Sequence, residues 1–417
     1  MASTTAPSTT TAPLLRPQPP TAPPAPAPQR AVVITGLLLA AALDAYVAAS
    51  VGARQAVLLA LGLGLGLTLF HSRFGFASAW RQLVAVGQGA PLRAHLLLLG
   101  ATAVLFAPVL AAGSGLGVPV SGAVAPVGVS VALGALLFGL GMQVGGACAS
   151  GTLYAVGSGQ TAILFTLGGF VVGATIGAWH MGFWAQTPSF GPISLADRFG
   201  YPAALALTLL VLAAIWVVSR LVQARRTPPP VAPVATARGP ARAVRGSWPM
   251  WVGAVMLAVL GLAVLVVSGG PWGITSAFSL WGSKLAGLAG ADPATWAFWS
   301  GDRAGVLAGP VLADTTTLTD LGIILGALVA SGLAGAFTLH QHIPWRTAVA
   351  GIVGGVLMGY GARLAYGCNI GAYLGGIGSF SLHGWLWAVM ALVGTWLGLR
   401  VRPLFGLANP KPSDGVC

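Results

Sequence analysis

The chain has 417 residues, of which 56% are hydrophobic and only 6% are charged. Soluble domains carry about 25% charged residues, so this composition excludes an ordinary soluble protein and indicates an integral membrane protein. The seven acidic residues are all Asp, which leaves little room for paired catalytic carboxylates. The net charge of +13 comes from Arg and Lys in short loops between apolar runs, so we expect no basic face for nucleic acid.

Ten apolar runs predict an all-α polytopic protein embedded in a lipid bilayer. If the N-terminus is inside and each run crosses once, most basic residues fall in inner loops, which predicts that both termini are cytoplasmic. On this count Asp314 and Asp320 lie in outer loops, and Trp385 and Trp387 anchor an interface. The runs lie near 31–50, 56–70, 96–113, 126–147, 161–182, 203–222, 249–268, 320–337, 347–367 and 384–401.

Pro-rich segments divide the chain. Residues 1–30 are rich in Pro, Ala and Thr and predict a disordered tail, because they cannot bury enough apolar surface to fold. Residues 223–246 are rich in Pro and Arg and predict a cytoplasmic linker. The linker separates a first membrane half (31–222) from a second (247–402), and a short polar tail (403–417) follows.

An internal repeat is the most informative feature of the sequence. GLGMQVGGACASG (139–151) recurs without a gap as GYGARLAYGCNIG (359–371), and GFASAW (75–80) recurs earlier in each half as GITSAF (273–278). Two matches in the same order indicate duplication. The span count gives the two units opposite orientations, so we predict inverted pseudo-repeats with a site near the bilayer midplane. A transporter and a fixed, channel-like path share this symmetry.

Both cysteine motifs follow an apolar run and are predicted to break a helix. Irregular backbone at membrane depth survives only where it is buried in protein or lines a polar path. We therefore expect Cys148 and Cys368 at two turns facing a central path, with half-helix N–H groups presented to an anion. The other candidate path residues at these turns are Gly145, Gly146, Ser150, Gly151, Gly367, Asn369 and Gly371.

Two shorter segments, RFGFASAWRQL and WGITSAFSLWGSKLAG, predict short re-entrant helices, with Ser78 and Ser276 as further path residues. If the segments are re-entrant, Arg81 and Lys284 mark the two mouths of the path. Interfacial helices with aromatic anchors are the alternative. Arg363 falls inside a span, where a charged residue is costly and usually functional. Contact with an anionic substrate, pairing with a helix end and snorkelling to the interface are all consistent with that position.

The sequence predicts neither a metal site nor a bound cofactor. The three cysteines have no metal-ligand spacing and do not form a disulfide framework, and no phosphate-binding G-x-x-x-x-G-K-[ST] segment occurs.

The paired stretches GLGMQVGGACASGTLYAVGSG and GYGARLAYGCNIGAYLGGIGS resemble the signature of the YeeE/YedE family of bacterial inner-membrane transporters, also called the sulphur-transport family. The resemblance covers about 56–401 and carries over Cys148 and Cys368 as the two motif cysteines. It implies uptake of thiosulfate or a related sulphur anion along a thiol-lined path, and a cytoplasmic sulphur-carrier protein as a partner. Family members often have a further cysteine near the position of Gly75 to Ala77, which is absent here.

The resulting hypothesis is a non-enzymatic transporter in which neutral thiols meet the soft sulphur of the substrate. A thiol is a weak hydrogen-bond donor and acceptor, whereas a thiolate would repel an anion. The alternatives are a membrane thiol redox or sulphur-transfer protein, which needs a reactive thiol beside a base or resolving partner, a transporter of a selenium compound, and a structural membrane subunit.

Overall fold

In this computed structural model, residues 24–228 and 235–411 are described, and almost all of their regular structure is helical. The α-helices are α1 (Arg30–Ser50), α2 (Ala53–Ser72), α3 (Phe76–Val86), α4 (Ala90–Ala112), α5 (Val129–Val144), α6 (Ala149–Gly157), α7 (Ile163–Trp184), α8 (Leu195–Phe199), α9 (Tyr201–Arg226), α10 (Ala241–Arg245), α11 (Met250–Ser268), α12 (Thr275–Leu288), α13 (Asp302–Ala308), α14 (Thr315–Ala334), α15 (Trp345–Leu364), α16 (Gly375–Gly378) and α17 (Leu382–Val401).

Short elements connect these helices. A π-helical segment, Asn369–Leu374, leads into α16, and single 3₁₀ turns occur at Pro293–Thr295, Ala297–Trp299, Val311–Ala313 and Arg402–Phe405. Strands β1 (Ser114–Gly115) and β2 (Val118–Pro119) form one antiparallel pair, and β3 (Pro126–Gly128) and β4 (Ser189–Pro192) form another. Both pairs lie in loops, so the sheet content contributes little to the core.

Within the described residues, ten helical segments are long and apolar enough to cross a membrane, as the sequence predicts. The shortest predicted run, near 56–70, is the 20-residue helix α2. The two short segments predicted between spans are the helices α3 and α12, and both bury residues instead of lying open at an interface. The described structure is therefore that of a polytopic all-α membrane protein.

The two halves repeat the same order of elements. The series α2, α3, α4, α5–α6, α7 recurs as α11, α12, α14, α15–π–α16, α17. Corresponding helices pack on corresponding partners from the other half. Helix α5 packs on α17, and its counterpart α15 packs on α7. Helix α2 packs on α14, and its counterpart α11 packs on α4. Helices α5 and α15, which lead into the two cysteine turns, pack on each other. The opposite membrane orientation of the two units remains a prediction from the span count.

Glycine allows the closest of these helix crossings. A Cβ on Gly173 of α7 would overlap the backbone carbonyl oxygen of Val356 in α15, and a Cβ on Gly394 of α17 would overlap that of Leu136 in α5. These are corresponding helix pairs in the two halves. Since lipid provides no hydrophobic drive for helix association, small residues that let backbones approach closely are needed at such contacts.

The structure contradicts the sequence predictions for Asp320 and Trp387. Asp320 does not lie in an outer loop, because α14 begins at Thr315 and carries Asp320 fully buried inside its second turn. Trp387 is not an interface anchor, because it lies on the face of α17 that packs inward and is fully buried. Residues 1–23 of the predicted tail, 229–234 of the linker, and 412–417 with Cys417 lie outside the described residues.

We expect Gly173→Ala to destabilise the protein by about 1–3 kcal/mol, the usual cost of forcing atoms into a packed core. Gly168→Ala is the matched control, because Gly168 is an exposed residue of the same helix with no atom near its would-be Cβ. Thermal unfolding in detergent, followed by fluorescence, compares the two. An unchanged midpoint for Gly173→Ala would contradict the close contact with Val356.

Candidate functional site

Both motif cysteines lie at helix breaks, in nearly the same backbone conformation. Cys148 has φ −87° and ψ −173° and is the residue before α6, whereas Cys368 has φ −99° and ψ −164° and is the residue before the π-helical segment. Each is therefore an extended residue that starts a short helix. The predicted breaks are present, and the two halves build them alike.

Two residues before each cysteine, the chain takes the left-handed conformation. Gly146 has φ +86°, which glycine adopts freely, and Tyr366 occupies the corresponding position with φ +56°. For a bulky residue this conformation costs about 1–3 kcal/mol and persists only where the surroundings enforce it. The turn geometry is thus kept in the second half even though glycine is replaced there.

The first turn opens into a cavity of 320 Å³, which we call the Cys148 vestibule. Of the predicted path residues it contains Ser78, Gly145, Gly146, Cys148 and Gly151. Its charged lining residues are Arg81 and Arg402, and the side chains of Tyr154, Gln160 and Thr166 also face it. The lining therefore carries positive charge without a carboxylate.

The second turn adjoins a cavity of 240 Å³, which we call the Arg363 vestibule. Of the predicted path residues it contains Ser276, Arg363, Gly367 and Gly371. It is also lined by the side chains of Thr275, Phe298, Trp299, Arg303, Asp314 and Tyr366. Lys284, predicted at this mouth, is not among its lining residues, whereas Arg81 does line the other cavity.

Three predicted path residues, Ser150, Cys368 and Asn369, line neither cavity and are buried. The Cys148 thiol lies 3.5 Å from the Ser150 hydroxyl, and the Cys368 sulphur accepts a hydrogen bond of 3.4 Å from the Ile370 N–H. The Asn369 amide nitrogen lies 4.0 Å from the sulphur of Met142 in α5, and its oxygen has no partner among the described residues. Cys368 is therefore buried away from the Arg363 vestibule, whereas Cys148 lines the Cys148 vestibule.

Arg363 is buried without a carboxylate hydrogen-bonded to it. Its Nη2 donates to the Thr275 hydroxyl at 2.6 Å, and its guanidinium carbon lies 5.3 Å from the ring centre of Phe298. Arg303 stacks on the same ring at 4.6 Å, so two guanidinium groups share one aromatic side chain. The Nε of Arg363 has no hydrogen-bond partner among the described residues. An anion entering this vestibule would find donors and positive charge.

Asp314, the carboxyl of the Arg363 vestibule, is used as a helix cap. Its Oδ2 accepts hydrogen bonds from the N–H of Thr317 at 2.7 Å and from the hydroxyl of Thr317 at 2.9 Å. Burial raises the pKa of Asp314 above its ordinary value, against the opposing effect of these bonds. These hydrogen bonds direct the Asp314 carboxyl towards the start of α14 instead of towards Arg363 and Arg303.

Two aromatic residues to which the sequence analysis assigned no role at the site support the second turn. The indole of Trp387 donates a hydrogen bond of 3.2 Å to the Gly367 carbonyl and stacks on Tyr373, with ring centres 5.9 Å apart. No signal in one sequence marks this role, because α17 is apolar on every side and its inward face cannot be read from periodicity. Among the described residues, no group of three or more His, Cys, Asp or Glu could hold a metal ion.

Residues 71–397 match a family described as Sulphur transport, which covers most of the chain. The chain belongs to the sulphur-transport family. The resemblance to the YeeE/YedE proteins is thereby confirmed, and the matched region includes both cysteine turns, both short helices and Arg363.

Curated relatives extend this finding. The chain is 26% identical to the thiosulfate transporter TsuA of Escherichia coli K12 over 82% of this chain and 94% of that protein. It is 27% identical to TsuA of Spirochaeta thermophila over 63% of this chain and 74% of that protein. It is 31% identical to the probable transporter YedE of E. coli, but the match spans only 37% of that protein.

We expect Cys148 to react with a small thiol reagent faster than Cys368, because Cys148 lines the Cys148 vestibule and Cys368 lines neither of the two vestibules. Single-thiol variants, Cys368→Ser or Cys148→Ser in a Cys417→Ser background, isolate the two rates with N-ethylmaleimide under native conditions. Full denaturation should equalise the rates and serves as the control. Faster labelling of Cys368 in the native protein would contradict the assignment of the cavities.

Proposed function

We propose that this protein takes up thiosulfate or a related sulphur anion across the bacterial inner membrane. The observation that carries the proposal is that each of two matching cysteine turns adjoins its own cavity and that each cavity carries two arginines. Family membership and the thiosulfate transporters among its relatives support the same substrate class.

Electrostatics favour an anion in both vestibules. A buried charge without a carboxylate partner is costly, so the buried guanidinium of Arg363, with exposed Arg303 on the same Phe298 ring, favours a negatively charged ligand. The bond of Arg363 to Thr275 and its contact with Phe298 hold the guanidinium in place without neutralising it. An anion could therefore dehydrate here and still leave, as a transport path requires.

The two cysteine thiols are the next groups that we expect the substrate to meet after Arg363 and Arg303. Neutral Cys368 and Cys148 offer weak S–H donors and soft sulphur to the terminal sulphur of thiosulfate, so binding stays weak. On the predicted topology, with both termini cytoplasmic, the Arg363 vestibule faces outward and the Cys148 vestibule faces inward. The substrate would then pass from Cys368 to Cys148, and a cytoplasmic sulphur-carrier protein would collect it beside Arg81 and Arg402.

Thiol redox or sulphur-transfer chemistry finds less support in the described surroundings. Such chemistry needs a base or resolving thiol beside the reacting sulphur. Cys148 has the Ser150 hydroxyl as its neighbour, and Cys368 has a backbone N–H. A hydroxyl and a backbone N–H can orient a sulphur atom, but neither is a base that would take up its proton. The absent first-loop thiol at Gly75 to Ala77 also leaves two motif cysteines where related proteins often have three.

Uptake of ³⁵S-labelled thiosulfate into proteoliposomes tests the proposal. The native chain should show saturable uptake, and Cys148→Ser and Cys368→Ser should each lower it at least tenfold, because serine keeps the shape and hydrogen bonding but lacks soft sulphur. Cys417→Ser, outside the cysteine motifs, is the control and should transport normally. A folded native chain without uptake would exclude thiosulfate and direct the assay to selenium and other sulphur species.

Gly371 provides a test of the path itself. Its would-be Cβ meets open space and the residue lines the Arg363 vestibule, so Gly371→Leu should obstruct the cavity without a packing clash. We expect thiosulfate uptake to fall at least tenfold while the thermal unfolding midpoint changes little. Gly168→Leu places the same side chain on the exposed face of α7 and should transport normally. Undiminished uptake by Gly371→Leu would show that the substrate does not cross this cavity.

A further inference from the structure

Asp320 is a buried carboxyl that the proposed path does not yet use. It lies in the second turn of α14 and is fully buried. Neither of its oxygens has a hydrogen-bond partner among the described residues. An unpaired carboxylate inside a membrane is costly, and such residues usually face the interior of a bundle and serve function.

The helical face that carries Asp320 runs from the wall of the Arg363 vestibule to the end of α6. One turn earlier, the Thr316 hydroxyl accepts a hydrogen bond of 2.9 Å from Ser276, which lines the Arg363 vestibule. One turn later, the Ile324 backbone packs against Gly157, the last residue of α6. Side chains four apart on a helix share a face, so Asp320 lies one turn from a residue that contacts the wall of the Arg363 vestibule.

Through Thr316 and Ser276, Asp320 is linked to the wall of the Arg363 vestibule. The carboxyl therefore lies beside the part of the proposed path through which the substrate would enter. An ionised Asp320 would repel a dianion there, whereas a protonated one would offer it an O–H donor.

The repeat places a second titratable residue at the matching position. His95 is the sixth residue of α4, as Asp320 is the sixth residue of the corresponding helix α14. His95 is also fully buried, and neither of its ring nitrogens has a partner among the described residues. It lies against the rings of Phe74 and Phe76, at the start of α3. Each half therefore has a buried residue that can bind a proton as the sixth residue of the corresponding helix.

The elements packed on α14 supply no hydrogen-bonding partner to Asp320 among the described residues. Their charged or titratable side chains, together with the α14 cap, are Arg30, Asp44 and Tyr46 on α1, Arg54 and His71 on α2, Cys148 and Tyr154 at α6, Arg242 and Arg245 on α10, Lys284 on α12, and Asp314. A proton is therefore the simplest ligand that makes the buried carboxyl neutral.

We propose that Asp320 binds the proton that is co-transported with the sulphur anion, an inference that rests on the proposed function. A proton from the Arg363 vestibule forms an O–H bond with the carboxylate, the O–H donates to the passing anion, and the proton leaves with the anion on the other side. Anion and proton move in the same direction. An inside-negative potential opposes anion entry by about 2.3 kcal/mol per charge per 100 mV, and each proton offsets one charge.

Proteoliposomes of the native chain with a trapped pH-sensitive dye test the coupling. Addition of thiosulfate outside should acidify the lumen, and an acid-outside gradient should accelerate ³⁵S-thiosulfate uptake several-fold. Uptake without acidification and without a response to the gradient would overturn the proposal while leaving transport intact. No uptake at all would instead contradict the proposed function.

Asp320→Asn then tests the residue, because an amide has the same shape but cannot titrate. We expect the variant to exchange internal for external thiosulfate while losing both lumen acidification and the response to the gradient. Asp44→Asn makes the same change on α1 and should behave as the native chain. Acidification that persists in Asp320→Asn, or is lost in Asp44→Asn, would contradict the assignment.

Asp320→Glu keeps the test decisive if the Asn variant does not fold. A longer carboxyl in the same place should retain acidification but shift the external pH at which uptake is half-maximal. An unshifted pH profile in a folded Asp320→Glu protein would overturn the role of Asp320.

Discussion

Backbone polar groups cannot be left unsatisfied in lipid, and this constraint determines where the chain can break its helices. Both breaks, at Cys148 and Cys368, are enclosed by the central helices α5, α7, α15 and α17, which pack in exchanged pairs. At Gly173 and Gly394 these helices come into close backbone contact. Both cysteines at the breaks are buried, so irregular backbone and thiols are shielded by protein there.

The same enclosure sets the electrostatics of the site. In a medium of low dielectric constant, charges act strongly and are costly unless paired. Arg363 is positioned by Thr275 and Phe298, neither of which cancels its charge, and Asp314 is engaged by Thr317. The charge that remains is one that an anionic ligand could balance, which is why the buried arginine supports the proposed anion path.

Much of the fold could be predicted because lipid imposes length and hydropathy on each span. The ten spans, the helix breaks before α6 and after α15, and the short helices α3 and α12 followed from those rules and from the repeat. Asp320 and Trp387 did not, since the first depends on where α14 begins and the second on which side of an apolar helix faces inward. Hydropathy reports neither quantity when every face of a helix is apolar.

The two halves share one order of helices, but they are not chemically equivalent. The differences lie in side chains at matching positions: Gly146 against Tyr366 at the left-handed turn, and His95 against Asp320 on the helix behind it. A carboxyl and an imidazole respond oppositely to protonation, since one loses a charge and the other gains one. Two corresponding buried positions would therefore act differently on the charge of a nearby anion, although the backbone around them is alike.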